Sequence, residues 1–198
     1  MESAALDPHQ RALLAELRAY CGVDPVEESH RAAILVQVEA TPLWWHRDTL
    51  PGHVTASAFV IDAAMDRLLL HHHRKLDRWL QLGGHDDGER DPARAVLREV
   101  REESGLAEFA FLGGQPTILD LDVHAIPARG AMPAHDHLDV RFLIVADPAA
   151  TLSRDAAESK ELAWFAVAEG IALMDEEAAE RVGRKIAGIR AALRPLRR

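Results

Sequence analysis

With 198 residues, 48% of them hydrophobic, the chain is long enough for one sizeable core or for one domain with an appendage. Its 32 acidic against 23 basic residues leave a net charge of -9, which argues against broad attraction to a nucleic acid polymer or an anionic membrane. The single cysteine, Cys21, excludes an intramolecular disulfide framework and a cysteine-based zinc site.

Ala12, Leu13, Leu14 and Leu17 form a partial apolar stripe, and Ala32, Ala33, Leu35, Val36 and Val38 form another, so the first fifty residues predict helices, the last ended by Pro42. From Gly52 the period changes: VTASAFVID and DRLLLHHH read as two strands joined by a polar turn around Asp62 to Asp66. RWLQLGG predicts a third short strand, after which Gly83, Gly84, Asp86, Asp87 and Gly88 make a loop. Asp91 suits an N-cap, Pro92 the first helical position and Gly105 a left-handed C-terminal stop, which together predict a helix over residues 92–104. Further strands are expected at FAFLGG, TILDLDVHAI, HLDVRFLIVA and ELAWFAV, then a terminal helix from Glu176 to Leu193 and a solvated basic tail, RPLRR. The pattern predicts α/β (α+β) layering, with residues 1–48 a helical extension packed on a main domain of residues 49–198. No signal-peptide pattern or membrane-spanning stretch stands out, so the expected location is the cytoplasm. The extension and terminal helix offer surfaces for a homodimer.

The helix over 92–104 carries the chemistry. Ala93, Val96, Leu97 and Val100 collect on one side, and Glu99, Glu102 and Glu103 share a stripe beside it. A solvated face with Arg98 pairing to Glu102 would explain charges at this spacing on their own. The acids, however, sit in the last turn, where the helix dipole disfavours negative charge, and a glycine-rich acidic loop precedes them. Clustered carboxylate oxygens suit magnesium or manganese, with waters and substrate phosphates completing the shell.

Gly84 followed by Arg98-Glu99-Val100-Arg101-Glu102-Glu103-Ser104-Gly105-Leu106 resembles the Nudix box, G-x5-E-x7-R-E-U-x-E-E-x-G-U, where U is apolar. One position departs: the first glutamate of the pattern is Arg90 here, with Glu89 one place earlier. The resemblance implies an α/β/α sandwich on a mixed sheet. It also implies hydrolysis of a nucleoside diphosphate linked to another moiety, by attack of a metal-activated water on phosphorus. Carried over by position, Glu99, Glu102 and Glu103 would hold magnesium or manganese and Arg98 would orient them. Some relatives draw a general base from a loop glutamate before a Trp-Phe strand; ESKELAWF offers Glu158 and Glu161.

Eleven histidines are many for this length. On a strand His135, His137, Asp139 and Arg141 would point to one face, and His71 and His73 would share another. His53 and His85 begin a strand and the box loop. As polar strand and loop residues they need no special role, but a His-x-His-x-Asp face is a ready transition-metal ligand set. Isopentenyl-diphosphate isomerase, on a related fold, resembles this chain in placing histidines near the sheet for a second metal, so His53, His85, His135 and His137 are candidates for a second divalent ion. That isomerase needs a cysteine just before the loop histidine, where this chain has Gly83-Gly84. Without metal, these histidines and Arg141 would instead meet the substrate's phosphates or base. Trp44 and Trp45 are open between base stacking and core, and Trp79 is expected in the core or an interface.

The expectation is therefore a Nudix-type pyrophosphohydrolase acting on a small diphosphate substrate. The alternatives are an isomerase-like enzyme and a non-catalytic protein that senses a nucleotide or metal on the same fold.

Overall fold

A computed structural model of the chain describes residues 6–193, so the basic tail lies outside the described residues. Helix α1 spans Pro8–Ala19 and α2 spans Pro25–Ala40. Both begin with an aspartate cap and proline in the first turn: Asp7 accepts from the His9 amide and Asp24 from the Glu27 amide. These caps satisfy amides that the first helical turn leaves unpaired. Strands β1 (Gly52–Ile61) and β2 (Arg67–His73) follow, and the segment read as one short strand is two, β3 (Arg78–Leu80) and β4 (Leu82–His85), split at Gln81.

Helix α3, Pro92–Ser104, has the expected limits. An Asp91 carboxylate oxygen accepts from the Ala93 amide at its start, and at its end the Gly105 amide donates to the Arg101 carbonyl. Gly105 has φ 67°, and a Cβ there would lie 2.6 Å from the Ser153 Cβ, so conformation and space both require glycine. The chain continues through β5 (Phe109–Phe111), β6 (Ile118–Ile126), β7 (His135–Ala146) and β8 (Ser159–Ala166). Next comes α4, Val167–Met174, in a stretch to which the sequence pattern assigns no element beyond the strand end at Val167, and then α5, Glu177–Leu193.

The eight strands join in one hydrogen-bonded sheet in the order β3-β2-β1-β7-β5, with β4 on β1, β6 on β7 and β8 on β2. Helices and a mixed sheet make this an α/β fold, as expected. The β2–β8 register sets His71 opposite Leu162 and His72 opposite Glu161, then shifts by a bulge so that His73 faces Ser159.

Two compact units divide the chain. One comprises the residues up to Ser57 with Gly84–Leu97 and Asp120–Arg141; the other comprises Ala58–Gly83, Arg98–Leu119 and the residues from Phe142 onward. In the first, Leu13, Leu14 and Leu17 of α1, Ile34 and Val38 of α2, and Trp44 are buried. Here Glu27, itself fully buried, accepts from the Tyr20 hydroxyl and from the amides of Val23 and Leu121, tying α2 to β6. In the second, Phe59, Leu68, Leu70, Leu143, Met174, Val182 and Ile186 belong to one buried apolar cluster, with Trp79 and Phe165 packed edge-on at its border. No helix among the described residues is long and apolar enough to cross a membrane.

Candidate functional site

The glutamates of α3 do not share one environment. Glu99 and Glu103 are buried, 8% and 3% exposed, while the Glu102 side chain is 58% exposed. Helical geometry explains the split: residues 99 and 103 are i,i+4 neighbours beside the inward apolar face, and residue 102 is rotated toward solvent. Arg98 spans the two environments, with Nη2 2.9 Å from the Glu99 Oε1 and Nη1 3.0 Å from the Glu102 Oε2.

Glu103 has specific partners. Its Oε2 accepts from the Gly83 amide at 2.8 Å, where Gly83 adopts φ 144°. Its Oε1 lies 3.6 Å from His71 Nδ1, and that nitrogen is 2.8 Å from the Ser159 hydroxyl. Burial pushes the Glu103 carboxyl up to about 8, and the charges of Glu99, Glu158 and Asp155 add to the rise against the Gly83 amide. Burial, with His73 and His72 nearby, depresses His71 to about 4, so it offers a neutral ring.

Of the two loop candidates, Glu158 ends the exposed turn before β8 and its charge is felt at Glu103. Glu161 is exposed within β8. No local sequence pattern marks His71 and Ser159 as companions of the acidic helix; the β2–β8 register brings them together.

The other unit holds the histidines. His53 is fully buried, and its ring centroid lies 5.2 Å from His85, 5.0 Å from His135 and 5.1 Å from His137. His53, His85 and His137 each offer one ring nitrogen within 4.8 Å of the others. Burial and the neighbouring rings depress His53 to about 4 and His137 to about 2. His124, absent from the expected set, also reaches this group, with its ring 5.4 Å from His137.

Asp139 and Arg141 sit differently from the histidines that precede them on β7. Arg141 is 2% exposed and enclosed by carboxylates: Nε is 2.9 Å from Asp139, Nη2 is 2.8 Å from Asp122 and Nη1 is 3.4 Å from Asp120. Asp139 also accepts from the hydroxyls of Thr55 and Ser57. With its donors directed at three aspartates, Arg141 serves as their counter-ion and does not present its guanidinium to a ligand. The missed signal was alternation along β6, which sets Asp120, Asp122 and His124 on one face.

The departure in the box also has a structural account. Arg90 pairs with Asp7 and lies over the Trp45 ring at 5.1 Å, while Glu89 Oε1 accepts from the amides of Arg90 and Asp91 at 2.9 and 3.2 Å. Trp44 is core, 1% exposed.

A family model described as the NUDIX domain matches residues 51–185. No curated protein matches the chain significantly. Among solved structures, a C. elegans Ap4A hydrolase in a binary complex is similar at 16% identity and a TM-score of 0.51, over 71% of this chain and 98% of its own. A MutT NUDIX hydrolase from Burkholderia pseudomallei is similar at 22% identity and 0.50, over 68% and 97%. The E. coli dihydroneopterin triphosphate pyrophosphohydrolase gives 12% and 0.51, over 68% and 95%. At these identities the likeness is one of fold.

Proposed function

Because the chain belongs to the Nudix family of hydrolases, enzymes that act on pyrophosphate bonds, we propose that it cleaves a diphosphate bond in a small nucleoside diphosphate derivative, using magnesium or manganese held by Glu99, Glu102 and Glu103. The observation that carries this reading is the burial of Glu99 and Glu103 on adjacent turns, with Glu103 pushed to about 8. Arg98 pairs with Glu99, but Glu103 is buried beside it against a backbone amide and a neutral ring, a cost that a bound cation would offset. Three oxygen-donor side chains, one of them facing solvent, suit a hard divalent cation that also takes substrate oxygens.

When bound, that cation neutralises phosphate charge and acidifies water. The protein's own groups supply the positioning. Arg98 holds the Glu99 and Glu102 carboxylates through its two Nη atoms. The Gly83 amide fixes one Glu103 oxygen, which leaves Oε1 facing the neutral His71, itself held by Ser159. Glu158, exposed and electrostatically linked to Glu103, is the better placed of the loop candidates to take the proton from the attacking water. Glu161 lies within β8 opposite His72, and the charges that raise Glu103 come from Glu99, Glu158 and Asp155.

The isomerase alternative gains nothing from the thiol, since Cys21 is exposed in the connection between α1 and α2. The test is a panel of nucleoside diphosphate derivatives incubated with magnesium, followed by mononucleotide release, beside Glu103→Gln and Glu158→Gln. Turnover abolished by the first and reduced by the second supports the assignment. No turnover on the panel, or equal turnover by Glu103→Gln, overturns it.

A further inference from the structure

We propose that His53, His85 and His137 form a transition-metal site, chemically distinct from the carboxylate site on α3, that holds a zinc-type ion through three imidazoles with a fourth position open to a water or ligand oxygen. All three belong to one compact unit: His53 begins β1, His85 ends β4 and His137 lies early in β7.

His53 carries the argument. It is fully buried, and neither ring nitrogen has a hydrogen-bond partner. The Thr49 backbone is near enough only to oppose part of the fall in its basicity. An imidazole removed from water without partners carries a substantial desolvation cost, and this one sits against the rings of His85, His135 and His137. Four rings packed this closely cannot be charged together, and a neutral imidazole has a lone pair to give. A shared electrophile uses those lone pairs, and a metal ion is the simplest one.

The dimensions are compatible. One nitrogen from each of the three rings lies within 4.8 Å of the others. Tetrahedral ligands at zinc–nitrogen bond lengths are separated by roughly 3.4 Å, so closing the set takes side-chain shifts of about 1 Å. His135 stands beside the set: its Nδ1 is 2.9 Å from the Pro133 carbonyl, which makes Nδ1 the donor and leaves a lone pair on Nε2. His85 also lines a cavity of about 410 Å³ with Trp45, His46, Arg47 and Asp87, which gives an ion or a ligand oxygen a route from solvent. An all-nitrogen set of three imidazoles favours zinc, cobalt or nickel over magnesium, the reverse of the preference on α3.

The experiment uses the full chain, stripped with chelator and dialysed against Co2+ or Zn2+ alone, with metal per chain measured by elemental analysis and the cobalt form by visible absorption. The expected result is about one tightly held equivalent with the intense absorption of tetrahedral cobalt. His137→Gln and His85→Gln should weaken it roughly 100-fold or more, while Glu103→Gln and the surface change His9→Gln leave it intact. Melting curves of the variants separate lost metal from lost fold. If a variant fails to fold, the wild-type cobalt spectrum still decides. No bound equivalent, a weak octahedral spectrum, or binding lost in Glu103→Gln but kept in His137→Gln would each overturn the site.

Discussion

Two groups of three carboxylates, one in each compact unit, solve burial in opposite ways. Asp120, Asp122 and Asp139 surround Arg141, a cation supplied by the chain, and the pKa shifts follow: against the rise that burial imposes, the hydrogen bond with His124 and then the charge of Arg141 hold Asp122 well below the usual carboxylate range, and Arg141 is raised despite its own burial. Glu99 and Glu103 have Arg98, but it reaches Glu99 and Glu102 and leaves Glu103 with a backbone amide and a neutral histidine. Glu103 accordingly rises to about 8. Buried carboxylates with their own counter-ion form scaffold; buried carboxylates short of one form a place for a cation to arrive.

The comparison breaks most sharply at Arg141. Arg141→Met removes the cation and leaves three buried aspartates facing one another, which should cost about 3–5 kcal/mol of stability. The measurement is denaturant unfolding, and a loss below about 1 kcal/mol would show that the cage is not the scaffold described. Removal of acid from the other group acts on activity instead. Glu103→Gln should lower kcat by roughly 10²–10³-fold, the scale of the several kcal/mol that a catalytic cation supplies, and should leave stability unchanged or raised.

The pH dependence sharpens the same contrast. In the metal-free protein Glu103 binds its proton up to about 8, whereas the unfolded carboxyl releases it near the ordinary glutamate value of 4.5. Between those values the folded state holds more protons than the unfolded one, so stability is greatest below the lower value and falls as pH rises through the upper. Chelated protein should therefore lose up to a few kcal/mol from pH 5 to pH 8, and Glu103→Gln should flatten the profile. Adding magnesium should restore stability at pH 8 far more than at pH 5, because at the lower pH the ion competes with a proton. A flat profile in chelated wild type, read by melting at each pH, would remove the distinction between the two groups.

Much of the acidic centre was legible because its parts are local in the chain. The Asp91 cap, the Gly105 stop and the spacing of Glu99, Glu102 and Glu103 all lie within fifteen residues, and α3 has the limits they imply. His71 and Ser159 are separated by 88 positions and meet only through a strand register that includes a bulge, which no local pattern encodes. Arg141 was misread for a related reason. Its place after a His-x-His-x-Asp run suggested a ligand-facing residue, whereas the deciding partners, Asp120 and Asp122, come from another strand. Helix α4 goes unassigned in the sequence because VAEGIALM is short and contains Gly170, a poor helix former whose missing side chain lets the helix lie close to Leu68 and Leu70.

The smallest expected effect concerns the box position occupied by Arg90. Arg90→Glu restores the family glutamate but breaks the pair with Asp7 and the contact over Trp45, and it places a new negative charge beside the Asp7 cap of α1. Arg90 is about half exposed in this pairing, so solvent screens the pair and its loss should matter little. The loop itself should hold, because Glu89 Oε1 bonds the backbone amides of residues 90 and 91 whatever side chain follows. Turnover should therefore change by less than about threefold, as expected for a solvent-screened pair. The informative partner is Glu89→Gln, which keeps the acceptor oxygen and should behave like wild type, against Glu89→Ala, which removes it and should lower activity and melting temperature together. If Arg90→Glu instead raised turnover tenfold or more, Glu89 would not be standing in for the missing glutamate, and the acidic centre would need a fourth carboxylate at the position where this chain carries Arg90 paired to Asp7.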